Sequence, residues 1–148
     1  MTNVIAVKHN IEVAHRLFTS PGKCQQIHGH SMWVTMEFSG NLDSAGFMNG
    51  LEFGAVKKTF REHLDTKYDH GLLLNADDDW ARPLRSAESP GAPVIEEAYL
   101  PGLRPMPGDP TTENIALWIA NFGKTQWGSQ VSSVTVWETA VNMARWER

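Results

Sequence analysis

Hydrophobic and polar positions alternate twice near the start of the chain. Val7, His9, Ile11, Val13, His15 and Leu17 form one series, interleaved with Lys8, Asn10, Glu12, Ala14 and Arg16. His28, His30, Met32, Val34, Met36 and Phe38 form a second, against Gly29, Ser31, Trp33, Thr35 and Glu37. A period of two puts successive side chains on opposite faces of a strand, so both stretches are predicted as strands with one apolar face. The run from Gly40 to Gly46 is turn-rich. From about Leu51 to Thr66 the spacing becomes helical, with Phe53, Val56, Phe60, His63 and Leu64 on one side and Lys57, Lys58, Arg61 and Glu62 on the other. Tyr68 to Asn75 is a short apolar stretch led by the charged pair Asp69-His70. Pro110-Thr111-Thr112-Glu113-Asn114 carries helix-start signals ahead of an apolar stripe of Ile115, Trp118, Ile119 and Phe122. A last strand, Val131 to Thr139, alternates Val134, Val136 and Glu138 against Thr135, Trp137 and Thr139. The order strand, strand, helix, helix, strand predicts an α+β domain with an antiparallel sheet.

Residues 76–109 interrupt this pattern. They are rich in Pro, Gly and acidic residues, and within them only Pro93 to Leu100 reads as ordered, as an edge strand. The expectation is one domain over residues 1–148 with a long insertion at about 76–109, since 148 residues suffice for one real core. Charged residues make up 20% and the net charge is −4, so no basic surface points to nucleic acid. The start of the chain shows no signal-peptide core, and no apolar run approaches a membrane span. One cysteine rules out an intramolecular disulfide and fits a reducing, cytoplasmic setting. Six tryptophans suggest extensive aromatic packing or a subunit interface.

The candidate chemistry lies in the histidines. An isolated His on an apolar face is more often a packed core residue than a ligand, and a bare H-x-H pair is a weak motif. His15, on a facing strand with matching parity, changes that balance. If the first two strands pair as a hairpin, His15, His28 and His30 converge at one end of the core-facing surface. Three neutral imidazoles with an open fourth position are the pattern of catalytic zinc, Zn2+. His9 shares the inward face but lies six residues from His15, roughly 20 Å along a strand, and is read as structural. Cys24, four residues before His28, is close enough in sequence to serve as a thiolate base near such a cation. Asp69-His70 is a second acid/base candidate, or simply a helix-terminus pair. A carboxylate on the face of two valines is costly unless engaged, so Glu138 either accepts paired N–H donors from a pterin- or guanine-like ring edge or pairs with an arginine.

Six pieces occur together and in order: Ala14-His15-Arg16-Leu17, Cys24 through His30, Gly46-Phe47-Met48 with Glu52-Phe53, Asp69-His70 with Leu74-Asn75, Pro110 through Asn114, and Trp137-Glu138-Thr139. In these the chain resembles the 6-pyruvoyl-tetrahydropterin synthase / 6-carboxytetrahydropterin synthase family. The resemblance implies the T-fold, a four-stranded antiparallel sheet with two helices on one face, assembled into an oligomeric barrel. It further implies a homohexamer with active sites between subunits and a pterin triphosphate as substrate. His15, His28 and His30 would hold zinc, Cys24 would be the catalytic thiolate, and Asp69 with His70 the proton relay. Glu138 would anchor the pterin ring with help from the Thr111-Thr112 backbone. The spacing of three residues between Cys24 and His28 resembles the bacterial carboxytetrahydropterin synthases. It implies a lyase that converts dihydroneopterin triphosphate to carboxytetrahydropterin, acetaldehyde and triphosphate on the way to preQ0 and queuosine-type deazapurines. The competing readings are a pyruvoyl-forming synthase on the same site and a non-catalytic pterin- or purine-binding zinc oligomer. The chain departs from the family pattern in Glu52, where Asp is usual, and in the long 76–109 segment. It also has no second cysteine after Thr139. Arg16, Lys23 and Lys67 are positional guesses for holding the triphosphate.

Overall fold

The computed structural model describes residues 3–48, 50–81 and 102–148. The two alternating stretches become β1 (Asn3–His15) and β2 (His28–Gly40), paired antiparallel along their whole length, with His15 opposite His28 and Val13 opposite His30. Helix α1 spans Phe53–Lys67 and carries the chain back across the sheet. Strand β3 (Gly71–Asn75) therefore runs parallel to β1, with Val13 opposite Gly71. Strand β4 (Leu103–Met106) lies parallel to β3, helix α2 spans Thr112–Trp127, and β5 (Val131–Trp137) and β6 (Met143–Glu147) form a hairpin.

Among the described residues the sheet has six strands in the order β4-β3-β1-β2-β5-β6. The expectation of four antiparallel strands is corrected on both counts: the sheet is larger, and it is mixed. Strand β4 contains Pro105, which lacks a backbone donor and is tolerated on an edge, so its sequence reads as loop. Strand β6 alternates exposed Met143, Arg145 and Glu147 with half-buried Ala144 and Trp146, too little burial to stand out by pattern. The proposed strand at Pro93–Leu100 lies outside the described residues.

Both helices cover the apolar sheet face. Val56, Phe60 and Leu64 of α1 recur at four-residue spacing, and Ile115, Ala116, Ile119 and Ala120 of α2 meet them over Ile11, Met32, Val34, Met36 and Val136. Gly123 lets α2 approach β2: a Cβ there would stand 2.7 Å from the Met36 Cε. Glu52 caps α1, accepting from the N–H groups of Gly54 and Ala55 at 2.8 Å, so the longer side chain still serves a helix start. His9, read as structural, reaches Asp65 on α1 at 2.7 Å.

His63 on α1 stacks on Phe122 of α2, with ring centres 3.6 Å apart and planes at 1°. Burial, with the nearby Lys67 charge second, lowers its pKa from 6.5 to about 4. Between those values the unfolded chain binds a proton that the folded chain does not. This group's contribution to stability is thus fully present above pH 6.5 and is lost as pH falls towards 4. Urea unfolding of His63→Phe at pH 7, 5.5 and 4.5 is expected to show a flatter acid limb than the parent. Identical pH dependence would assign the acid limb to other groups.

Candidate active site

The hairpin register brings His15, His28 and His30 together at one end of β1 and β2. Their ring centroids are 4.5, 5.1 and 5.2 Å apart, and one ligand-capable nitrogen of each lies within 4.8 Å of the others. Among the described residues this is the one set of three or more His, Cys, Asp or Glu side chains so arranged. His15 is fully buried, while His28 and His30 are half-buried.

Two of the rings are fixed from behind. His15 Nδ1 lies 2.8 Å from the Pro110 carbonyl, and His28 Nδ1 lies 2.8 Å from the Gln26 carbonyl. A carbonyl only accepts, so both Nδ1 atoms carry the hydrogen, and Nε2 is the atom of each neutral ring that holds the lone pair. Burial lowers the His15 pKa, an effect only partly offset by the Pro110 bond and strengthened by its two His neighbours. The ring is therefore neutral at physiological pH. His15 Nε2 and His30 Nε2 are buried with no hydrogen-bond partner. An unsatisfied buried polar atom costs about 1–3 kcal/mol, and a cation shared by lone pairs is what this donor set would satisfy. The three imidazoles thus fit a divalent metal, with the carbonyl-bound Nδ1 atoms as outer support.

Glu138 sits just past the end of β5, at the start of the turn into β6, one residue beyond the regular strand. Its Oε1 lies 3.9 Å from His15 Nε2 and 3.8 Å from His30 Nε2. The Thr112 hydroxyl donates to the same oxygen at 2.9 Å. Thr111 is the α2 cap, its hydroxyl accepting from the Asn114 N–H at 3.1 Å. Of the two readings open for Glu138, the pairing with an arginine is not what the described residues place there. Its neighbours are the imidazoles and a threonine.

Cys24 and Asp69-His70 do not join this cluster within one chain. Cys24 lies in a 3-10 turn (Lys23–Gln25) between β1 and β2, exposed, its carbonyl accepting from the Leu17 N–H at 2.8 Å. Asp69 accepts from the Glu12 N–H at 2.7 Å and contacts His70 Nδ1 at 2.6 Å. Burial alone would push Asp69 up, but its bonds from Glu12 and His70 hold its carboxyl below the usual range. The His70 side chain is 81% exposed, and its φ of 52° marks the tight turn that enters β3. It borders an open cavity of about 530 Å³ that Glu12, Val13, Gly29, His30 and Ser31 also line, so His70 and one of the three imidazoles share a cavity.

Arg16 is engaged within the chain. Its Nε donates to the fully buried Asp78 at 2.7 Å, and its guanidinium lies 3.8 Å from the centre of the Trp80 ring. Sequence reasoning missed Asp78 and also the Pro110 and Gln26 carbonyls that aim the imidazoles. A main-chain acceptor has no side-chain identity to read, and Asp78 falls in an acidic run that reads as solvated loop.

A family model described as 6-pyruvoyl tetrahydropterin synthase matches residues 4–148. A 6-carboxy-5,6,7,8-tetrahydropterin synthase of Rickettsia felis is 29% identical over 133 residues, covering 86% of this chain and 88% of the relative. A protein of the same description from Haemophilus influenzae is 25% identical over 145 residues and 97% of each chain. The solved structure of Caenorhabditis elegans 6-pyruvoyl tetrahydropterin synthase superimposes with a TM-score of 0.68 at 21% identity, over 100% of this chain and 96% of that one. That likeness establishes the fold: the two helices and curled mixed sheet are the T-fold arrangement.

Proposed function

The chain belongs to the 6-pyruvoyl tetrahydropterin synthase family, and from that premise we propose that it is a zinc-dependent 6-carboxytetrahydropterin synthase. The reading takes dihydroneopterin triphosphate to carboxytetrahydropterin, acetaldehyde and triphosphate, a step towards preQ0 and queuosine-type deazapurines. The observation that carries it is the trio of converging imidazoles with two rings pinned through Nδ1 and two buried Nε2 atoms lacking partners. The carboxy product is favoured because the two relatives described above bear that description.

A zinc ion held by His15, His28 and His30 would supply Lewis-acid charge beside the reacting side chain of the pterin. The remaining roles belong to the protein. Glu138, oriented by the Thr112 hydroxyl, presents a carboxylate that two parallel N–H groups of a pterin edge match. Thr111-Thr112 backbone flanks that edge. Cys24 acts as thiolate base towards the substrate side chain. His70 exchanges a proton through Nε2, its Nδ1–H held by Asp69.

Cys24 and His70 are exposed and lie outside the imidazole cluster, with His70 meeting His30 across an open cavity, which supports active sites completed between copies in a homohexamer. Trp33 and Trp137 support the same assembly. They lie opposite one another on neighbouring strands and are 46% and 38% exposed. We read residues 1–148 as one domain with the insertion at about 76–109. Among the described residues no helix is long and apolar enough to cross a membrane. A pterin triphosphate is the expected partner and nucleic acid is not. The single cysteine is in keeping with a cytoplasmic setting.

The test is product analysis by mass spectrometry after anaerobic incubation of the zinc-loaded protein with dihydroneopterin triphosphate. Carboxytetrahydropterin with acetaldehyde is the expected outcome. A pyruvoyl product would move the protein to the other synthase branch with the same site. Unchanged substrate from a zinc-replete oligomer would sink both enzyme readings and favour a pterin-binding oligomer.

A further inference from the structure

Asp109 is 9% exposed, yet nothing in the proposed chemistry uses it. A buried carboxylate is costly unless hydrogen bonds replace its water. Here Oδ2 accepts from the Thr19 N–H at 2.8 Å and the Thr19 hydroxyl at 2.6 Å, and Oδ1 accepts from the Asn75 amide at 2.8 Å. Burial raises the Asp109 pKa, but the bonds from Thr19 and Asn75 outweigh it and keep the group ionised. Its own carbonyl accepts from the Thr111 N–H and the Asn114 amide, both at 2.8 Å. Side chain and main chain of one residue are therefore held at once, from three separate segments: the turn after β1, the end of β3 and the entry to α2.

The next residue in the chain is Pro110, whose carbonyl receives His15 Nδ1–H at 2.8 Å. Three residues after Asp109, Thr112 donates to Glu138. A shift of this short loop would turn the buried His15 ring and release the Glu138 carboxylate together. The geometry points to Asp109 as a positioning residue for the imidazole centre, setting the direction of the Pro110 carbonyl and through it the aim of His15 Nε2. This rests on the reading of His15, His28 and His30 as a metal centre. Outer partners of ligating histidines typically alter metal affinity by about 10–100-fold when changed.

The experiment uses the full chain, stripped with chelator and titrated with zinc alone against a competing indicator, alongside visible spectra of the cobalt-loaded protein. In Asp109→Asn, an amide donor faces the Asn75 donor. The variant is expected to lose about 10–100-fold in zinc affinity and to change the cobalt spectrum. The reciprocal double variant Asn75→Asp/Asp109→Asn reverses donor and acceptor, restores the bond, and is expected to recover both readouts. Thr19→Val removes one donor while leaving the backbone N–H, and is expected to show a smaller loss in the same direction. It carries the test should Asp109→Asn fail to fold. Parent-like zinc affinity and cobalt spectrum in Asp109→Asn, even with a lowered melting temperature, would overturn the inference and leave Asp109 a structural staple. If the parent itself binds neither metal, the metal reading fails, and that result is seen before any variant is compared.

Discussion

His28→Ala is expected to bind zinc on the order of 10³-fold more weakly or worse, and to lose turnover to background. The magnitude follows from comparison: changing only an outer partner of a ligating histidine costs about 10–100-fold, and removing a ligand leaves two donors where three converge. His28 is the informative member of the trio. It is half-buried, whereas His15 is fully buried, so deleting His15 would open a cavity in the core and confuse metal loss with unfolding. Metal-free His28→Ala is expected to unfold within about 1 kcal/mol of the metal-free parent. The pair of measurements is a zinc titration by indicator competition and urea unfolding of the stripped proteins. Unchanged zinc affinity would remove the trio as the metal centre.

Cys24→Ala is expected to lose about 10²–10⁴-fold in kcat, the usual contribution of a positioned acid or base. Zinc affinity and pterin binding should stay near the parent values, because Cys24 is exposed and outside the imidazole cluster. Product formation under saturating substrate and ligand binding by calorimetry separate the two effects. Retained turnover would deny the thiol its role, and a parallel fall in zinc affinity would make Cys24 a ligand instead of a base. Mixing Cys24→Ala chains with His70→Ala chains extends the test. If sites lie between copies, some sites in the mixed oligomer combine an intact Cys24 with an intact His70, and part of the lost turnover returns. No recovery on mixing would place both residues in one chain's site.

The division between what was readable and what was not follows from the range of each interaction. The two alternating stretches at Val7–Leu17 and His28–Phe38 announced their strands, their buried faces and the common face of three histidines. A period of two is a local property of the backbone, and each series runs long enough to be unmistakable. The helical stripes on α1 and α2 were legible for the same reason, α1 to within two residues at each end and α2 at its start. Sheet size was not. Strands β4 and β6 take their place from neighbours far along the chain, and their own residues, a proline in one and exposed alternate positions in the other, argue weakly for a strand.

The residue types for a metal centre were set by the sequence by itself, together with the parity that lets them meet. Only the tertiary structure decided which atoms point inward. The Pro110 carbonyl reaches His15 across 95 residues of chain and fixes its tautomer, and main-chain oxygens are the same at every position until folding places them. Arg16 shows the converse. In the sequence nothing marks a partner for it. Folding commits it to Asp78 and Trp80, because a buried carboxylate must find its partner wherever the chain brings one within reach.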